Sequence, residues 1–445
     1  MASSSQPKGG STREASAIPM LSRRALLLAG AAAAAAGILF PAAANAEASA
    51  ATPAADAIRP FRIDIPQADL DDLRTRLAAT RWPDAQTVSD RSQGVQLEKL
   101  RPLVDYWREG YGWRMVEARL NALPQFVTRI DGLDIHFIHV RSPHADALPL
   151  VMTHGWPGSV LELLGTIGPL TDPTAHGGKA ADAFHLVLPT IPGFGFSEKP
   201  KASGWNPDRV ARAWDQLMQR LGYDSYVAQG GDWGAIIADA LGRQAPAGLK
   251  AIHVNRIERA TTLPPEIAKA LKSGDPAPAG LTAEEKAVFD EARDFLSKGF
   301  GYAAILGTRP QTIGFGLEDS PVGLAAWLYD KIADWVFTRG DPEQALGRDA
   351  ILDNITLYWL TNSATSSGRI YWENGNTPGT RGPITVPAAV TIFPGEVYRP
   401  PKNWVERTYQ HLVYYSHVDK GGHFAAWEEP ELFSTEVRAA FRGVR

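Results

Sequence analysis

From position 148 onward, six short runs of almost unbroken apolar residues punctuate the chain: LPLVMTHG, AFHLVLPT, YDSYVAQ, LKAIHVN, VPAAVTIFP and HLVYYSHV. Stretches with apolar residues at helical spacing, such as AIIADALGRQ, lie among them. Buried strands alternating with helices predict a mostly parallel sheet covered on both faces. The interval 256–386 is far too long for one crossover between neighbouring strands. It reads as an inserted helical cap, with helices expected in AEEKAVFDEARDFLSKG and PVGLAAWLYDKIADWVF. The core is then 128–255 together with 387–445.

Upstream the pattern differs. FRIDIP reads as a strand, and ADLDDLRTRLAATRW has Leu70, Leu73 and Leu77 at helical spacing with Asp69 available as a cap. LEKLRPLVDYWREGYGWRMVEARLNAL continues as helices. QFVTRI and LDIHFIHV then alternate apolar and polar residues around Asp131-Gly132, a two-residue hairpin turn. Residues 58–127 therefore form a separate N-terminal extension, preceded by a small, polar linker at 47–57.

Charge and cysteine content narrow the function. The 445 residues carry 45 basic and 49 acidic side chains, with no basic run to serve as a nucleic-acid track. Cysteine is absent, which excludes disulfides, thiolate nucleophiles and Cys-ligated zinc. The histidines show no H-x-x-x-H spacing, so no metal site is expected. At the N-terminus, Arg23 and Arg24 precede an alanine-rich apolar run that ends in Ala44-Asn45-Ala46. Residues 1–46 read as a twin-arginine export signal, which places the protein in the periplasm or outside the cell. Pro41 breaks the run short of the roughly 20 apolar residues that span a bilayer, so no stable membrane anchor is expected.

Ligands on such a sheet sit beyond the carboxyl ends of the strands. Four of those loops carry reactive residues. QGGDWG holds Asp232 between Gly230 and Gly234, the layout of the G-x-S-x-G elbow with a carboxylate in place of the serine. THGWPGS places His154, Gly155, Trp156 and Pro157 after an earlier strand, a layout resembling the HG-x-P oxyanion loop of α/β-hydrolases. TIFPGEVY places Glu396, and VDKGGHFAAWEEP places His423, after the last two strands. An aspartate in a glycine turn is ordinarily a turn residue, and an isolated histidine or glutamate is ordinarily solvated. The chain order Asp232, Glu396, His423 is what argues otherwise, because it is the nucleophile, acid, histidine order of the α/β-hydrolase fold.

A carboxylate that attacks an sp³ carbon makes an alkyl ester, which a base-activated water must then cleave. His423 oriented by Glu396 can supply that base. The backbone N–H groups of Trp156 and Trp233 are the expected donors to the oxyanion, while His154, Gly155, Pro157, Gly230 and Gly234 shape the two turns. Glu428 and Glu429 are expected to start or cap a final helix in which Pro430 stands early.

HGWPGS, PTIPGFGFSEKP, QGGDWG, DSPVGLAAW, LYWLTNSATSSGRIYWEN and KGGHFAAWEEPE together resemble the epoxide hydrolases of the microsomal and juvenile-hormone type, over nearly the whole chain after residue 57. The resemblance implies an α/β-hydrolase fold with a helical cap and an N-terminal domain, no cofactor, and a small apolar epoxide and water as reactants. It also implies two cap tyrosines as general acids, matched by Tyr371 in GRIYWEN and Tyr302 in KGFGYAAIL. A haloalkane dehalogenase uses the same ester chemistry with a halide leaving group, for which Trp233 and Trp156 could supply indole N–H donors. A ligand-binding homologue without turnover is the reading from another class. Oligomeric state is left open.

Overall fold

The computed structural model describes residues 56–377 and 379–445. The proposed export signal lies outside the described residues. Among the described residues, nine strands form one sheet in the order β1-β2-β3-β5-β4-β6-β7-β8-β9. β1 is Arg59–Pro60, β2 Gln125–Ile130, β3 Leu133–Val140, β4 Leu148–Thr153 and β5 Phe184–Pro189; β6 is Tyr226–Gly230, β7 Leu249–Val254, β8 Ala388–Ile392 and β9 Leu412–His417. The first pairings, β1 with β2, β2 with β3 and β3 with β5, are antiparallel. All pairings from β5 to β9 are parallel. Every residue of β5, β6 and β8 is buried, as the apolar runs require, whereas the edge strand β9 is partly exposed.

The β2–β3 hairpin turns at Asp131 (φ +49°) and Gly132 (φ +85°), the two positive φ values that a tight hairpin with the native twist demands. Two upstream expectations need correction. FRIDIP is not a strand: pairing with β2 ends at Pro60, followed by one bond from Phe61 N–H to the Gln125 carbonyl (2.9 Å). The Asn121 side chain then takes over, accepting the Ile63 N–H and donating to the Ile63 carbonyl, both at 2.8 Å. Asp69 is not a cap either. Helix α1 (Gln67–Ala78) begins after Pro66, which has no side-chain oxygen to cap it, and Asp69 stands within the first turn. Leu70, Leu73 and Leu77 are its buried face.

The long interval between β7 and β8 is helical, from Arg259–Thr262 to Ala364–Asn376. The N-terminal helices α2 (Leu97–Glu109) and α3 (Trp113–Asn121) fasten onto it. Trp107 Nε1–H donates to Thr356 Oγ1 at 2.8 Å, Tyr106 OH to Asp349 at 2.7 Å, and Tyr111 OH and Arg119 both to Asp353 at 2.9 Å. All three acceptors lie on the helix Arg348–Leu360. Among the described residues, no helix is long and apolar enough to cross a membrane.

Candidate active site

The turn from β6 into the helix Asp232–Gln244 is built by steric demand. A Cβ on Gly230 would run into the Gly234 carbonyl, and one on Gly234 into the Thr153 carbonyl of β4. Only glycine allows strand, turn and helix to approach this closely. Asp232 itself takes φ +48°, a strained value for a residue with a Cβ, and its carboxylate is thereby lifted over the strand ends. Gly155 faces it so closely that any side chain there would collide with Asp232.

The loop after β4 supplies the first partner. Trp156 N–H donates to Asp232 Oδ1 at 2.8 Å. Two residues of the helix Arg348–Leu360 hold this loop in place: Asn354 donates to the Pro157 carbonyl and Tyr358 OH to the Gly158 carbonyl, both at 2.7 Å. His154 braces it from below. Its Nε2 accepts the Ile191 N–H at 3.2 Å, so Nδ1 carries the hydrogen that reaches the Gly155 carbonyl at 3.2 Å. Burial pushes this imidazole down to about 4, and it stays neutral. Among the described residues, the backbone bond that the Asp232 carboxylate accepts comes from Trp156; Trp233, the other expected donor, is brought to the site through its ring.

His423 lies opposite. Its Nε2 is 3.3 Å from Asp232 Oδ2, and its Nδ1 is 2.9 Å from both carboxylate oxygens of Glu396. Glu396 is nearly inaccessible to solvent and also accepts the Val397 N–H at 2.7 Å. Burial alone would lower the imidazole, but the carboxylates of Glu396 and Asp232 outweigh it and hold His423 above its ordinary value. In turn, burial alone would raise Asp232. The close approach and charge of His423, then Arg256 and the Trp156 N–H, bring it below the usual range.

Glu428 departs from its expected role. It does not cap the last helix, Pro430–Phe441, because its carboxylate turns inward to accept N–H groups from Phe337 (2.7 Å), Gly422 (3.1 Å) and Phe424 (3.2 Å). Glu429 occupies the cap position of that helix without a side-chain bond. Nothing in the local sequence AWEEP distinguishes an inward glutamate from a cap. Arg256, in the loop after β7, was also missed. It pairs with Glu258 at 2.8 Å and lends positive charge toward Asp232.

A cavity of about 500 Å³ opens over Asp232 and His423, walled largely by the inserted helices. Tyr302, on the helix Gly301–Thr308, and Tyr371, on the helix Ala364–Asn376, both line it, with ring centroids 5.8 Å apart. The Trp156 indole stacks on Tyr302 at 5.2 Å and meets Tyr371 edge-on at 5.7 Å, while Trp233 meets Tyr371 at 4.6 Å. Burial first, and the nearby Asp232 charge after it, raise Tyr302 above the ordinary phenol value. Burial, the neighbouring Tyr302 and Asp232 do the same to Tyr371. Both phenols therefore keep their protons well above neutrality. The structure thus brings four of the five sequence-predicted reactive side chains, Asp232, His423, Tyr302 and Tyr371, to the wall of one cavity, with Glu396 one layer behind against His423.

Comparison with known proteins agrees with this geometry. Residues 58–163 match the family described as epoxide hydrolase N terminus, and residues 149–311 the one described as alpha/beta hydrolase fold. The chain is 53% identical over 388 residues to "Putative epoxide hydrolase" of Stigmatella aurantiaca, covering 87% of this chain and 86% of that protein. It is 36% identical over 404 residues to Epoxide hydrolase 1 of Sus scrofa, covering 86% and 88%. Among solved structures, juvenile hormone epoxide hydrolase from the silkworm Bombyx mori superposes with a TM-score of 0.78 at 30% identity, covering 88% of this chain and 95% of that one.

Proposed function

The chain belongs to the epoxide hydrolase family, and from that membership we propose that it hydrolyses small apolar epoxides to vicinal diols through a covalent ester on Asp232. One observation carries the reading. Asp232 has a backbone donor on one oxygen and His423 on the other, and it faces a cavity lined by two protonated phenols. In the first step an Asp232 oxygen bonds to an epoxide carbon as the C–O bond opens, and the departing alkoxide takes a proton from Tyr302 or Tyr371. A phenol that is still protonated at neutral pH is suited to this, and general acid help of this kind is worth roughly 10²- to 10⁴-fold.

In the second step water attacks the ester carbonyl, His423 removes its proton, and the Trp156 and Trp233 N–H groups receive the oxyanion. The acyl–oxygen bond then breaks, the diol oxygen takes the proton from His423, and the second water proton, left on the new Asp232 carboxyl, passes back to the tyrosine phenolate as the Asp232 carboxylate returns. Esterification prepares this step. While Asp232 is charged it helps keep His423 protonated; once it is a neutral ester that contribution vanishes and the imidazole is more readily neutral, as it must be to accept the water's proton.

The leaving group separates this reading from a dehalogenase. A halide needs no proton, whereas an alkoxide does, and two phenols face Asp232. Apolar substrates are favoured by Ile236, Leu263, Phe295 and Val397 in the cavity wall. On this reading residues 256–386 are the cap and 58–127 the N-terminal domain, and residues 1–46 direct export, which cell fractionation would test. Single turnover in heavy-oxygen water tests the mechanism: label should enter the Asp232 carboxylate and not the first diol. Label found directly in the diol would overturn it.

A further inference from the structure

Behind Asp232 lies a second cavity, of about 20 Å³. It has Asp232 and His423 in common with the large cavity and shares no other lining residue with it. Roughly 10–15 Å³ is enough for one water molecule. Most of this wall is apolar, including Leu163, Ala426 and Phe433, but Glu162 and Gln229 also reach it.

Gln229 is 1% exposed. Its Nε2 donates to Asn255 Oδ1 at 2.9 Å, while its Oε1 has no partner. His423 Nε2 is likewise without a hydrogen bond, its approach to Asp232 Oδ2 being 3.3 Å. A buried amide oxygen normally has a donor. Glu162 fills the space that a side chain on Gly158 would need, and its Oε1 accepts the Gly155 N–H at 3.2 Å. Burial first, and the Asp232 charge second, push its carboxyl up to about 8, so at neutral pH it offers an O–H.

We propose that this small cavity is the seat of the hydrolytic water, with Glu162 and Gln229 as positioning residues that hold one molecule behind Asp232 while the alkyl group occupies the large cavity. The inference rests on the covalent-ester reading. One hydrogen of the water goes to Gln229 Oε1 and the other to His423 Nε2. The Glu162 hydroxyl donates to one lone pair, and the remaining pair faces Asp232 Cγ. Attack forms the new C–O bond as the proton passes to His423, and the substrate oxygen leaves with that proton. The water thus enters from a side that bound substrate cannot block.

Transient kinetics with styrene oxide and excess enzyme test this by following the mass of the Asp232 peptide. Glu162→Leu should form ester at the wild-type rate and lose it roughly tenfold to a hundredfold more slowly, the cost of a misplaced reactant. Glu162→Gln, whose amide can still donate to the water and accept from Gly155, should largely restore that decay. Ala426→Val, which fills the cavity and removes no polar group, should slow decay alone. Unchanged decay in Glu162→Leu and Ala426→Val overturns the proposal, as does an equal slowing of formation and decay in both, which is the mark of a merely structural role. Absence of any ester in the wild type would instead sink the covalent reading.

Discussion

The Glu428 carboxylate brackets His423, accepting the N–H of Gly422 at 3.1 Å on one side of it and that of Phe424 at 3.2 Å on the other. The backbone carrying the histidine is thereby pinned on both flanks, while Glu396 holds its ring. Glu428→Gln leaves one acceptor oxygen for three donors. Losing a hydrogen bond to a charged acceptor costs about 1.5–3 kcal/mol. A lower melting temperature and a reduced kcat with little change in KM are expected; unchanged values of both would show that His423 is held without it.

Tyr302→Phe and Tyr371→Phe remove the proposed acids without removing the rings that pack on Trp156. Each should slow ester formation by roughly a hundredfold, the lower end of general acid catalysis, and the double variant should lose more. Decay of ester already formed should be unaffected. Because both phenols are held above their ordinary value, no loss of ester formation from their ionisation is expected up to pH 10. Rapid-quench measurement of ester formation across pH checks both points.

Two partly buried carboxyls predict how stability changes with pH. Burial raises Glu162 to about 8 and Glu428 to about 7, against about 4.3 in an unfolded chain. Between these limits the folded state binds more protons than the unfolded one, so stability falls as pH rises. Their contribution is complete below pH 4 and lost by about pH 8 to 9. Thermal melts from pH 5 to 9 should show a steeper decline for the wild type than for Glu162→Gln; parallel curves would place the charge elsewhere.

Two glycines should respond oppositely to alanine. At Gly234 the new methyl would meet the Thr153 and His154 carbonyls, and overpacking of this kind costs about 1–3 kcal/mol or more. Gly316 sits exposed within the helix Pro310–Asp319 with nothing within 4 Å of the added carbon. There alanine should stabilise by roughly 0.5–1 kcal/mol. Melting temperatures of the two variants provide the comparison.

What could be read from sequence alone follows from how local each feature is. The apolar strand runs, the Asp131-Gly132 hairpin and the glycine spacing around Asp232 are specified by a few adjacent residues, and the fold agrees with them. The site side chains could be named because each follows a strand end. Glu162, Arg256 and Glu428 could not, since what matters about them is which distant backbone or charge they meet once buried. FRIDIP failed for a similar reason: its strand-like pattern lost its partner to the Asn121 side chain, 58 residues away. The tyrosines came through resemblance, because no spacing marks them.

The bonds from Tyr106, Trp107, Tyr111 and Arg119 to the helix Arg348–Leu360 have a consequence for how this enzyme changes over time. The same helix holds the Pro157 and Gly158 carbonyls. A stretch that lends no side chain to the reacting atoms thus backs the loop that delivers the Trp156 N–H to Asp232. Substitutions in that stretch should therefore act on how firmly the donor is held, leaving the reacting side chains themselves unaltered.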